Sequence, residues 1–379
     1  MTTLSESITL AHQLIGFDTR NPGGNEAACI DFLGGLLQKS GFKVITADFA
    51  DNRPSLVARL REGPRPALCF AGHIDTVPLG EASWRFDPFA GEIHNGRLYG
   101  RGASDMKSGI AAMMTAACRL VPRLAADDDL ILVIVAGEET GCQGSRYLAG
   151  MPDLLGNAGA LIVAEPTSNY PLVGHKGALW LSARFAGRTA HGAMPEKGDN
   201  AIYKAVEAVE LLRCFDFSVK PHPHMGAPSL NVGYFHGGLN INSVPDAAEV
   251  GIDIRTVPGL ANNELIKKMR DYLGPNATIL PMVDVSALWT DPEQPWVQTV
   301  FNTVAPILGV HPVPKTVAFF TDGAPLQIAY GGSPTLILGP GESAMAHQTD
   351  EYCQVADIDT ATAIYERIAE NWYKLPAAG

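Results

Sequence analysis

Apolar residues along this chain gather in short unbroken runs, and four of those runs lead directly to residue types that bind metals. They are residues 67–72 before His73, 130–136 before Gly137-Glu138-Glu139, 161–164 before Glu165, and 335–338, which leads on to His347. Aliphatic runs of four to eight residues bounded by Gly or Pro read as buried strands. Helix patterns lie between them: two over residues 4–40, separated by the turn Asn21-Pro22-Gly23-Gly24, and an Ala- and Met-rich one over 106–120 that starts directly after Asp105. Strands alternating with helices to about residue 173 predict the α/β class, a mainly parallel sheet with helices on both faces. Ligands in such sheets collect beyond the carboxyl ends of the strands. Four metal-binding residue types at four strand ends therefore predict one polar site.

The pattern changes after Gly174-His175-Lys176-Gly177. A strand at 179–185, an amphipathic helix at 200–215, strands at 230–235 and 249–255, a helix at 262–273 and a strand at 278–285 follow in order. That βαββαβ order is the ferredoxin-like sandwich. The first pattern resumes near Asp291 and ends in a helix over 358–372. The expected organisation is a larger α/β domain over 1–176 and 289–379, with 177–288 inserted as a small α+β domain. Glycine-flanked junctions suit the insert to act as a moving lid.

Composition narrows the class. With 379 residues, 46% hydrophobic and 18% charged, the chain reads as a soluble globular protein of about two domains. A net charge of −12 argues against nucleic acid or an anionic membrane as partner. The six cysteines are scattered without a Cys-x-x-Cys pair, and Cys69 and Cys118 sit in apolar runs as small core residues. No disulfide framework is indicated, which favours a reducing compartment. Residues 1–17 lack a basic start followed by an apolar core, and no apolar run reaches about 18 residues. A cytoplasmic protein is expected.

Each candidate residue has a plain reading beside the chemical one. His73 and Asp75 lie two apart, on one face of a strand that persists through both. They are either an ordinary strand-end pair or a metal-bound His whose second ring N–H is taken by a carboxylate. Asp105 is either a helix N-cap or a carboxylate bridging two cations. Glu138 and Glu139 close a long aliphatic run, where neighbours in extended backbone point opposite ways, so one can ligate while the other faces substrate. Glu165 ends a strand and is fixed by Pro166. His347 lies in a loop where a lone His is usually solvated. Converging carboxylates Asp105, Glu139 and Glu165 would repel and raise one another's pKa. Two Zn²⁺ carry four positive charges, which three carboxylates and one hydroxide cancel. Two imidazoles favour zinc over magnesium, with cobalt or manganese also fitting.

With these motifs in order over nearly the full length, the chain resembles the M20 family of di-zinc amidohydrolases. The resemblance implies His73 and Glu165 on one zinc, Glu139 and His347 on the other, and Asp105 bridging, hence two Zn²⁺ per subunit. It implies Glu138 as general acid/base and Asp75 as the residue orienting His73. Ala190-His191-Gly192 matches the family's lid His, which in dimeric members reaches the partner subunit's site, so the 177–288 insert is read as a lid and dimerisation domain. Asn242-Ser243-Val244-Pro245 and Asp253-Ile254-Arg255 match lid residues that hold the substrate carboxylate, giving Asn242 and Arg255 as substrate-binding. A homodimer is implied.

The substrate is read from finer matches. Phe320-Thr321-Asp322-Gly323-Ala324-Pro325 departs from the Gly-Thr-Ser-Asp-Gly-Arg-Phe of desuccinylases. His175-Lys176-Gly177-Ala178-Leu179-Trp180 lacks their paired arginines. The expected reaction is hydrolysis of an N-acyl L-amino acid, acetylornithine first, with desuccinylation second and dipeptide hydrolysis third. A non-catalytic binding module would have replaced the base or a ligand, and here none is replaced.

Overall fold

The computed structural model describes residues 4–374. The chain divides into two compact units, each described by itself. The first runs to Gly174 and takes in Trp289–Lys315 and the chain from Thr321 on; the second is His175–Leu288 with Thr316–Phe320.

The first unit is built on a six-stranded sheet. Its helices include α1 (Glu6–Ile15), α2 (Ala27–Lys39), α3 (Ser108–Leu120), Pro295–Leu308 and Val355–Tyr373. Its strands are β1 (Lys43–Asp48), β2 (Pro54–Arg59), β3 (Ala67–His73), β4 (Leu130–Val135), β5 (Ala158–Val163) and the late strand Thr335–Ile337. The spatial order is β1-β2-β4-β3-β5 and then Thr335–Ile337. The last four are mutually parallel, while β2 runs antiparallel to β4 and β1 to β2. The interleaved pattern and the α/β class read from it are borne out.

Alternation along β3 explains the layers. Leu68 and Phe70 face one core with Leu132 and Ile162, covered by α1, α2 and α3. Cys69 and Ala71 face the other with Val133 and Leu161. A strand buried on both faces has no polar position except at its ends. The carboxyl ends of β3, β4 and β5 therefore become neighbours on one edge, and that edge carries the polar residues.

One helix begins later than its pattern predicts. Asp105 (φ −122°, ψ 95°) and Met106 (φ −133°, ψ 32°) are not helical, and α3 starts at Ser108. The Asp105–Met106 peptide is cis. Composition favours helix from Met106, but the backbone here is held by tertiary contacts described below.

In the second unit, β6 (Gly177–Ala186), α4 (Ala201–Arg213), β7 (Ser229–Gly237), β8 (Ala247–Thr256), α5 (Asn262–Leu273) and β9 (Ala277–Val285) follow in order. The sheet order is β7-β8-β6-β9, all antiparallel. This is the ferredoxin-like sandwich. Asn200 caps α4 by accepting from the N–H groups of Ile202 and Tyr203, an arrangement worth about 1 kcal/mol. Leu179, Leu181 and Ala183 on β6 bury against Ala205, Leu212, Leu265 and Met269. Thr316–Phe320 joins this unit because Lys176 N–H donates to the Val317 carbonyl and the Thr316 hydroxyl to that of His224. The chain pattern carries no sign of this excursion.

Candidate metal centre

β3 delivers His73 to the polar edge, where the ring is 1% exposed. Its Nδ1 lies 2.9 Å from the main-chain carbonyl of Asp75. A carbonyl only accepts, so Nδ1 carries a proton, and Nε2 is the nitrogen that can offer a lone pair to a metal once it deprotonates. The Asp75 carboxylate, expected to take that ring N–H, is farther off at 3.6 Å. The strand stops at His73 and the chain turns, which puts the carbonyl rather than the carboxylate beside the ring.

The Asp75 carboxylate has other work. It accepts from the N–H of Glu138 (3.1 Å) and of Glu139 (3.2 Å) and from Asn21 Nδ2 (2.7 Å). The two glutamates do not lie on extended backbone, because β4 ends at Val135 and Gly137 turns the chain with φ +75°. Their side chains diverge through this turn, not through strand alternation. Glu138 is buried beside the Cys142 thiol, and Glu139 reaches His347.

The donors fall into two sets around Asp105. His73 Nε2 lies 3.2 Å from Asp105 Oδ1 and 3.9 Å from Glu165 Oε1. His347 Nε2 lies 3.5 Å from Asp105 Oδ2 and 3.0 Å from Glu139 Oε2. The two oxygens of Asp105 thus face two different imidazoles, which rules out a capping role for its side chain. Donor atoms of His73, Asp105 and Glu139 all lie within 4.8 Å of one another.

Electrostatics argue for cations in both sets. Burial pushes the Glu138 and Glu165 carboxyls well above their ordinary range and Glu139 up to about 7. Hydrogen bonds donated to the Asp105 and Glu139 carboxylates carry His347 up to about 10. Burial opposes charge on His73, yet Asp105 and the neighbouring acids raise it. Burial likewise opposes charge on Asp105, and the His347 and His73 rings outweigh it, leaving that carboxyl below its usual value. Glu165 Oε1 is buried with no hydrogen-bond partner. Buried carboxylates with imidazoles aimed at them, and one oxygen without a donor, form a donor set suited to a divalent pair.

The sequence profile of Peptidase family M20/M25/M40 matches residues 69–371. The acetylornithine deacetylase of Proteus mirabilis (strain HI4320) is 32% identical over 371 residues, spanning 94% of this chain and 92% of that protein. The chain belongs to the M20/M25/M40 peptidase family. Acetylornithine deacetylase of Klebsiella pneumoniae (strain 342) is 31% identical over 354 residues, 90% of each chain. Among solved structures, the M20 family metallo-carboxypeptidase Sso-CP2 of Sulfolobus solfataricus superposes with a TM-score of 0.82 at 18% identity, covering 98% of this chain and all of that one. The YXEP protein of Bacillus subtilis, described as a dinuclear metal binding peptidase from the M20 family, gives 0.71 at 15% identity, covering 98% of each chain. As an M20 enzyme the protein is a metal-dependent amidohydrolase.

Three expected residues lie in the second unit. His191 is exposed, and its Nδ1 accepts the Ala193 N–H. The Gly192 N–H donates to the Asn242 carbonyl at 2.7 Å, so the His191 and Asn242 loops are paired. Arg255 pairs with Asp253 at 3.0 Å, 5.9 Å from the centre of the Trp180 ring.

Sequence reasoning missed several buried partners of this M20 centre. Asn21 links Asp75 to Arg53, whose Nη2 donates to Asn21 Oδ1 (2.8 Å) and to Glu26 (2.8 Å). Asp322 is fully buried, accepts from the Ser145 hydroxyl, and is raised to about 6 by burial. Glu351 gathers the loop that carries Asp105. Burial of charged residues in the sequence motifs was the available signal, but partners 27 to 250 positions away were not.

Proposed function

We propose that this enzyme hydrolyses the amide of an N-acyl L-amino acid, acetylornithine first among candidates, using two zinc ions. The observation that carries the two-ion reading is Asp105, whose two oxygens face His73 and His347 separately. His73, Asp105 and Glu165 would hold one ion, and Glu139, Asp105 and His347 the other. Cobalt or manganese suits the same donors. Bound there, the pair acidifies water and polarises the amide carbonyl.

The chain's own groups then act as follows. Glu138 takes a proton at its carboxylate from the attacking water and returns it to the departing nitrogen. Its burial supports that role, because it disfavours the charged carboxylate, raises the carboxyl pKa and so strengthens the group as a proton acceptor. Asp75 fixes the turn that presents Glu138 and Glu139. His191 would donate to the carbonyl oxygen as negative charge develops there. Arg255, its fork oriented by Asp253, and Asn242 would hold the substrate carboxylate.

The deacetylase assignment draws on the acetylornithine deacetylases described above, which align along nearly the whole chain. The second unit is proposed as lid and dimerisation domain of a homodimer. Its support is the unpaired edge strand β7, the exposed Phe235 on it, and the solvent-facing Leu239 and Ile241 that follow. Six unpaired thiols fit a cytoplasmic setting. Among the described residues no helix is long and apolar enough to cross a membrane.

The test is amine release from acetylornithine, succinyl-diaminopimelate and several dipeptides, with and without chelator. Acetylornithine should give the highest kcat/KM, chelator should abolish turnover, and Glu138→Ala should lose about 10²–10⁴ in kcat. A best rate on a dipeptide would overturn the substrate order. Chelator-resistant turnover would overturn the metal reading.

A further inference from the structure

Glu351 is fully buried, at 0% exposure, and every acceptor position of its carboxylate is taken. Oε1 accepts from the N–H groups of Ser104 (2.8 Å) and Asp105 (2.9 Å). Oε2 accepts from the Gly102 N–H (3.0 Å) and from Arg101 Nη1 (2.7 Å). A carboxylate offers about four lone-pair sites, so four donors saturate it. Arg101 is itself 1% exposed, and the rest of its fork reaches two other segments. Nη1 donates to the Gln348 carbonyl (3.2 Å) and Nη2 to that of Pro78 (2.9 Å).

The segments so joined carry or adjoin three of the five proposed metal donors. Pro78 lies five residues after His73, residues 100–105 carry Asp105, and Gln348 follows His347. Backbone groups from residues 102–105 are drawn to one carboxylate. That convergence fixes Asp105, and with it the Met106 start of the expected helix, in φ/ψ that no helix uses. No regular secondary structure supplies these bonds, so the loop's shape depends on the side chain.

We propose that Glu351, with Arg101, is a positioning residue for the metal pair: it sets the bridging carboxylate of Asp105 and the His347 loop at their spacing before metal arrives. The proposal rests on the ligand assignment above. It explains why an ion pair is buried here, where two well-packed apolar side chains would be no less stable. Gln cannot replace Glu351, because its NH₂ would face N–H donors that only an oxygen can accept.

Glu351→Gln and wild type are compared for metal affinity by chelator competition, for the visible spectrum of the Co²⁺-loaded protein, and for kcat and KM. Expected are a loss of about 10–100-fold in metal affinity, a changed Co²⁺ spectrum, and a fall in kcat with KM little altered. Arg59→Met is the stability control: it breaks the Arg59–Asp129 pair at the opposite end of β4 and should weaken folding without touching metal affinity. Metal affinity and spectrum unchanged in Glu351→Gln, or weakened equally in Arg59→Met, would overturn the positioning role. If Glu351→Gln does not fold, hydrogen exchange on the metal-free wild type decides. Amides of 102–105 should exchange slowly, and rapid exchange there would overturn the proposal. A wild type that binds no metal pair would instead overturn the ligand assignment on which it rests, and the proposal with it.

Discussion

Asn21 gives the sharpest test of how the site is held. Its Nδ2 donates to Asp75 Oδ2 at 2.7 Å and its Oδ1 accepts from Arg53 Nη2 at 2.8 Å, so one side chain ties the buried Asp75 to the half-buried Arg53. Asn21→Ala removes both bonds. Hydrogen bonds to charged groups contribute about 1.5–3 kcal/mol each. Asn21 also lines a polar cleft of about 460 Å³ with Asp18, Arg20 and Pro78, so water can replace part of the loss. A net cost of about 2–3 kcal/mol follows, well inside a typical stability of about 5–15 kcal/mol. The variant should fold, with a lower urea midpoint and an unchanged slope. Asp75, left with only the Glu138 and Glu139 N–H groups, should hold their turn less firmly, and metal affinity should fall by about tenfold.

Asn21→Asp sharpens the reasoning because its shape is nearly unchanged. It places a second carboxylate where the amide donated, at a separation for which like charges repel by about 4–6 kcal/mol at an effective dielectric of 20. Arg53 offsets part of this. The introduced carboxyl should have a raised pKa, and once protonated it can donate to Asp75 again. The stability gap to wild type should therefore narrow as pH falls and widen as pH rises through that pKa. Denaturant melts at several pH values, with metal content measured alongside, read both effects. If Asn21→Ala melts at the wild-type midpoint and binds metal as tightly, the buried link from Arg53 to Asp75 contributes nothing.

Two further outcomes follow from the same geometry. Metal loading near neutral pH should release protons, since both imidazoles and Glu139 are raised in the metal-free protein and must deprotonate to ligate; apparent affinity should rise with pH. Calorimetry in buffers of different ionisation enthalpy measures the release, and identical heats would refute it. Gly109→Ala should destabilise by about 1–3 kcal/mol, because a Cβ there would lie 2.1 Å from the Ala164 carbonyl oxygen, next to Glu165. Helix propensity alone predicts a gain of about 0.5–1 kcal/mol, so the sign of the change in a thermal or urea melt decides between local preference and close packing.

The α/β class was legible because β3, β4 and β5 are apolar almost throughout, and only burial on both faces tolerates that. Parallel neighbours then bring their carboxyl ends to one edge, so His73, the Glu138-Glu139 pair and Glu165 could be grouped from order alone. The βαββαβ insert was legible from periodicity for the same reason: each element's apolar spacing is a local property. The start of α3 was not, since the sequence favours helix from Met106 while Glu351, some 250 positions later, captures the N–H groups that precede it.

Local chemistry in the chain therefore specified which side chains could bind metal and which elements would carry them. Tertiary structure alone decided that the His73 ring bonds the Asp75 carbonyl, that the Asp75 carboxylate accepts from the Glu138-Glu139 turn, and that Asn21, Arg53, Arg101 and Glu351 hydrogen-bond around Asp75 and the Asp105 loop. The reason is physical. Strand and helix patterns repeat over a few residues and leave a trace in sequence, whereas a buried charge is satisfied by whatever donors the fold brings within about 3 Å, and those carry no periodicity.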